Sequence, residues 1–191
     1  MKIRSLFIAL IAAISFSATA QAENYKIDID GQHAFIQFKA PHLGFSWVMG
    51  RFNDFNGSFT YDEANPSKSK VEVTIDVASV DSDHAKRDKH LRSADFFEAS
   101  KYPQAKFVST AFIDNGNGKA TLKGNLTVKG ITKAVTLDVN HIGSGKDPWG
   151  GYRRGFDAST KVTLGDFNLN PKGWPKAFPI ELYISVEGIR M

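Results

Sequence analysis

The sequence predicts an all-β fold, with an antiparallel sheet closed into a barrel or folded into a sandwich. Three observations carry this. Long segments alternate apolar and polar residues with a period of two, turn residues separate them at short intervals, and one stretch alone departs from the pattern.

Val71 to Val77 alternates without a fault. Ala120, Leu122, Gly124, Leu126 and Val128 alternate with Thr121, Lys123, Asn125 and Thr127. Val135, Leu137 and Val139 are interleaved with Thr136 and Asp138. Phe156 to Leu164 and Leu182 to Val186 repeat the pattern. A period of two over such lengths means strands with one apolar and one wet face. Tyr25–Ile29, Ala34–Lys39, Arg51–Tyr61 and Gln104–Ile113 complete the set more raggedly, and Gly57 inside the third suggests a bulge or bend. Asn115 to Gly118 and Lys129 to Thr132 read as hairpin loops, and Asp147 to Gly151 as a longer break.

Asp81 to Ala94 lacks the alternation. Asp81, Ser82 and Asp83 are helix-start residues, and Asp83 with Arg87 and Asp88 with Arg92 are acid-before-base pairs four apart. A short, mostly solvated helix is expected, with Leu91 its one large apolar residue.

Residues 1–22 read as a secretory signal peptide. Lys2 and Arg4 precede an apolar run from Leu6 to Phe16, and Ala20-Gln21-Ala22 supplies a small-residue cleavage site. The run is shorter than the roughly 20 residues a spanning helix needs. The expected organisation is therefore a leader over 1–22 and one domain over 23–191, exported to the periplasm. Loss of Lys2 and Arg4 lowers the net charge from +4 to +2, which gives little support to nucleic-acid binding. The absence of cysteine among 191 residues excludes disulfides, thiolate metal sites, catalytic thiols and thioether lipid anchors.

Thirteen of the fifteen phenylalanines lie beyond the leader, six of them between residues 35 and 61. Taken from alternation alone, they fill a core. The sharper reading is a pocket wall, since an eight-stranded barrel can be packed solid or hold one small ligand. No G-x-S-x-G, P-loop or H-E-x-x-H motif is present. His84 and His90 are six apart, on different faces of a helix, and no carboxylate pair has the spacing of an acid–base dyad. Lys86, Arg87, Lys89, His90 and Arg92 crowd donors into seven positions. Such a cluster suits a phosphate or carboxylate head group, or simply a soluble helix surface.

The chain resembles the YceI-like family. The resemblance is carried by Gly31-Gln32-His33-Ala34-Phe35, His42-Leu43-Gly44 with Ser46-Trp47, and Gly50 and Phe52 with Phe55, Gly57 and Phe59. It continues through Arg87 to Phe96, Lys101-Tyr102-Pro103, Gly130 to Lys133, and Asp147 to Gly150 with Gly155-Phe156. Asn168 to Pro179 aligns with no family motif.

The resemblance implies an eight-stranded antiparallel lipocalin-like barrel with a short helical insertion. It implies a soluble periplasmic protein that holds a polyisoprenoid or similar long-chain amphiphile in an elongated apolar cavity, with no catalytic residue and no cofactor. It reverses the preference for a filled core. The expected lining is Phe35, Phe38, Phe45, Trp47, Phe52, Phe59, Phe96, Phe107, Leu122, Leu126 and Leu137. The expected partner is the lipid, with neither nucleic acid nor stable membrane insertion, and with a homodimer left open. Two alternatives stand beside this. One is an enzyme acting on an isoprenoid head group near His84, Arg87, His90 and Arg92. The other is an outer-membrane barrel, apolar outward and polar inward.

Overall fold

The computed structural model describes residues 22–169, 171, 173, 175 and 177–191. The predicted leader, Ala22 apart, lies outside them.

Among the described residues, eleven strands make eight staves, because three staves are each broken in two. β1 (Glu23–Ile27) and β2 (Phe35–His42) follow one another along a single neighbour, β11 (Pro179–Arg190). β1 pairs with Gly188 to Arg190 and β2 with Glu181 to Ser185. β3 (Ser46–Phe52) and β4 (Phe55–Tyr61) form the next broken stave, β3 against β2 and β4 against β1. β5 (Lys70–Asp76) and the two-residue β6 (Val80–Asp81) form the third, against β4 and β3. β7 (Gln104–Gly116), β8 (Lys119–Val128), β9 (Ile131–Lys146) and β10 (Tyr152–Thr163) are continuous, and β10 returns to β11. The sheet is antiparallel and closed, as the resemblance implies.

The alternation decides which face is inside. Leu122, Leu137, Val139 and Ala158 are buried, whereas Lys123, Asn125, Lys133, Thr136 and Asp138 are exposed. This apolar-in, polar-out arrangement is the inverse of a membrane barrel. No helix among the described residues is long and apolar enough to cross a membrane.

Both predicted hairpins have two-residue loops. Asn117 and Gly118 have φ of 54° and 73°, and Lys129 and Gly130 have 49° and 73°. Positive φ at both central residues is what a type I′ turn requires and what matches the twist of the flanking strands. The ragged pattern of β7 also has a local cause. A register shift between Ser109 and Ala111 inserts a residue, so that both Phe107 and Phe112 face inward despite their odd spacing. Gly57 does not mark a bulge, since the β4–β5 register runs through it unbroken. A Cβ there would lie 2.6 Å from the Glu72 carbonyl oxygen, so the glycine permits close approach of β5.

The helix α1 (Ala85–Arg92) is shorter than the segment expected to form it. Its N-cap is His84, whose ring Nδ1 accepts from the Arg87 amide at 3.2 Å, rather than an upstream acid. Neither expected i,i+4 ion pair forms, for a geometric reason. Asp83 precedes the helix at φ 61°, and Asp88 is turned into the protein, accepting from the Ser82 amide and hydroxyl.

Close approach is tightest at Gly124 on the inner face of β8. A Cβ there would fall 2.4 Å from the Phe107 ring and 2.7 Å from the Val108 carbonyl oxygen. The ring can rotate but the strand backbone cannot yield. Gly124→Ala should therefore destabilise the barrel by about 1–3 kcal/mol, read as a lower urea midpoint at unchanged m-value.

Candidate functional site: an apolar tube with two different ends

The inward faces of the staves leave space along the barrel axis. One cavity of about 140 Å³ is lined by Ile27, Phe59, Val71, Leu122, Leu137 and Phe156, among others. A second, of about 370 Å³, lies toward α1 and is lined by Phe38, Val48, Leu91, Phe97, Phe167 and Phe178, among others. Ile36, Ile75, Leu126 and Leu182 line both, so the two cavities are consecutive sections of one tube. The larger section is within the usual size of a ligand site, and walls of this kind reward apolar ligands by burial.

Eight of the eleven expected lining residues face this tube. Phe59, Phe107, Leu122 and Leu137 line the first section, Leu126 lines both, and Phe38, Phe52 and Phe96 line the second. Phe35, Phe45 and Trp47 do not. On β2 the inward positions are Ile36, Phe38 and Ala40, which turns Phe35 outward, 40% exposed. Trp47 alternates with the inward Val48 and is 52% exposed, with the Lys39 ammonium 3.9 Å above its ring. Phe45 sits in the β2–β3 turn and is 87% exposed. With Leu43 and Met49 these two rings make an apolar rim outside the tube. Aromaticity was a poorer guide here than parity.

Several walls escaped the sequence reading. Leu164, Phe167, Leu169 and Phe178 close the second section from the segment that follows β10. Phe167 lies in a 3-10 turn (Leu164–Phe167), and the Leu164 amide donates to the Phe178 carbonyl at 3.0 Å, which holds these two wall residues together. Their spacing fits no single period, so alternation could not find them.

Arg87, Arg92, His84 and His90 at the α1 end are engaged by the fold. Arg87 donates through Nε to the Ser82 hydroxyl at 2.8 Å and through Nη2 to the Ser82 carbonyl. Arg92 donates to the Val80 carbonyl at 3.2 Å, His84 caps the helix, and His90 Nε2 lies 3.1 Å from Asp95. Arg87 and His90 still border the second section of the tube.

The opposite end is lined by packed rings. Tyr61 meets Phe112 edge-on at 6.1 Å and Phe156 at 5.7 Å, and Phe156 meets Phe59 at 5.6 Å. Beyond them Arg154, 2% exposed, places its guanidinium 4.3 Å from the Tyr61 ring centroid. It donates to the Tyr25 hydroxyl at 3.3 Å and to Glu63 at 2.5 Å. Parity brings Arg154, in phase with Phe156 and Ala158 on β10, and His141, in phase with Leu137 and Val139 on β9, to the inner face at this end of the barrel.

A YceI-like domain model matches residues 25–187. The chain belongs to the YceI-like family. It is 51% identical over 188 residues to Protein YceI of Escherichia coli O157:H7, covering 98% of each chain. Among solved structures it resembles BcnA of Burkholderia cenocepacia, with a TM-score of 0.76 and 25% identity, over 84% of this chain and 98% of that one. It also shares its fold with a polyisoprenoid binding domain from Saccharophagus degradans, with a TM-score of 0.62 and 14% identity, over 87% and 98% of the two chains.

Within this YceI-like barrel one ionic cluster lies away from the tube. Asp28, His33 and Glu187 bring ligand-type atoms within 4.8 Å of one another, close enough to hold a metal ion. Arg153 supplies the positive charge there instead. Its Nη1 lies 2.6 Å from Asp28 and 2.5 Å from Glu187, and its Nε lies 2.8 Å from Asp147. The hydrogen bond from His33, with those from Arg153 and the Gly31 amide, holds the Asp28 carboxyl at about 2, below the usual carboxylate range. A carboxylate whose folded-state pKa is depressed stabilises the fold above its unfolded value, near 4, and loses that stabilisation as pH falls toward 2. Stability should thus drop by about 1–2 kcal/mol between pH 5 and pH 2.5 through this group. Asp28→Asn should flatten that part of the profile, checked by urea midpoints at the two pH values.

Proposed function

We propose that this YceI-like protein is a binding protein for a long-chain isoprenoid or related lipid, acting in the periplasm after removal of residues 1–22. The observation that carries the reading is the tube itself: two consecutive sections walled by aliphatic and aromatic side chains inside a closed sheet. The fold shared with a polyisoprenoid binding domain supports it. Each buried methylene contributes roughly 0.8 kcal/mol, so a five-carbon unit contributes about 3–4 kcal/mol before costs. Immobilising a flexible chain costs about 4–15 kcal/mol, so a few units suffice and a single one does not.

Binding without chemistry is the better reading of the α1 end. A head-group enzyme needs donors free to meet substrate, whereas Arg87, Arg92 and His84 are engaged in holding Ser82, Val80 and the helix N-terminus. The apolar rim of Leu43, Phe45, Trp47 and Met49 adjoins the same end and suits the loading of a water-insoluble guest.

Native mass spectrometry of protein isolated from the periplasm should show a co-purifying lipid. A consistently empty protein with no affinity for prenyl chains would overturn the reading. Ala158 is buried and lines the first section. Ala158→Phe should fill that section and weaken binding of a C20 or longer prenyl alcohol at least tenfold, while the far-UV circular dichroism stays that of a barrel.

A further inference from the structure

The end of the tube beyond the ring cluster is not a simple plug. A chamber of about 240 Å³ lies there, bounded by Tyr61, Phe112, Asp114, His141, Arg154 and Phe156. Tyr61, Phe112, Val139 and Phe156 also line the apolar tube, so the chamber and the tube adjoin along these residues. The His141 ring packs 5.2 Å from the Phe156 ring. His141 Nε2 is buried and has no hydrogen-bond partner, the one such side-chain atom among the described residues. A buried polar atom left unpaired is costly, and proteins rarely keep one without a use.

We propose that this chamber seats the uncharged, hydroxyl-bearing terminus of the tube's guest, with His141 Nε2 accepting its hydrogen bond and Arg154 beside it. The proposal rests on the lipid-binding reading and adds an orientation to it: the tail lies toward α1 and the polar terminus lies beyond Tyr61 and Phe156.

Two features select that chemistry. First, His141 is an acceptor. Burial, helped by the nearby Arg154 cation, holds it below the usual histidine range and so neutral, and a neutral imidazole presents one acceptor nitrogen. Second, the chamber is close to electrically balanced. Arg154 is paired with Glu63, and Asp114 and Lys119 offset one another on the rim. A phosphate or carboxylate would have to displace Glu63 and face Asp114, whereas a hydroxyl needs neither.

The test compares three probes with one C20 tail: geranylgeraniol, the matching hydrocarbon and geranylgeranyl diphosphate, each titrated into the mature chain. The alcohol should bind at least fivefold more tightly than the hydrocarbon. His141→Phe should abolish that preference while hydrocarbon affinity persists, which also shows that the variant is folded. His141→Gln, whose amide oxygen can accept, should retain it. Equal binding of alcohol and hydrocarbon by the unaltered protein overturns this inference and leaves the tube's function standing. A diphosphate that binds tighter than the alcohol overturns the uncharged class. Failure of all three probes to bind overturns both.

Discussion

The barrel depends on how β11 divides its second edge. One edge runs the length of β10. The other is shared, with β1 taking residues 188–190 and β2 taking 181–185. Between them the chain leaves the ladder at Asp28 and re-enters at Phe35, so closure is made in two pieces rather than one zipper. Each piece then recruits its own partner, β4 for β1 and β3 for β2. With the ring of eight staves closed, the interior radius follows, and an apolar tube follows from that radius wherever side chains fall short of the axis.

The break in that seam is bridged electrostatically. Asp28 sits where β1 ends, Arg153 comes from β10, Glu187 from β11 and Asp147 from the β9–β10 loop. One guanidinium therefore ties together the elements that meet at the gap in backbone pairing. It meets three carboxylates, each through one oxygen, and Asp28 and Asp147 are largely buried, the condition under which an ion pair carries more weight than an exposed one. The Asp28 backbone also stays connected, with its amide donating to the Glu187 carbonyl at 2.8 Å.

Strand identity was legible because the barrel is apolar inside and wet outside, which writes a period of two into β5, β8, β9, β10 and β11. The two-residue turns were legible for the same local reason, since positive φ selects Asn-Gly and tolerates Lys-Gly. The tube was legible only in part. Phe107 and Phe112 both face inward because of a register shift that no periodicity displays. Phe35, Phe45 and Trp47 are aromatic, yet they face outward because parity and turn position, not aromaticity, set direction. Leu169 and Phe178 join the wall from a loop whose course depends on tertiary packing.

The two ends of the tube show the same lesson in sharper form. In the sequence, five donors within seven positions mark α1 as the polar end, and His141 is a lone histidine on a strand with nothing to single it out. In the fold the values are exchanged. Of the α1 donors, Arg87 and Arg92 satisfy the Ser82 hydroxyl and the Ser82 and Val80 carbonyls, the ordinary obligations of a short helix attached to a barrel rim. The lone histidine keeps an acceptor uncommitted in a chamber next to the tube. A cluster of charges in sequence reports how many polar groups a segment must satisfy. Only the structure reports which of them the fold itself engages, and the buried acceptor left without a partner, at His141, lies at the end where the sequence shows least.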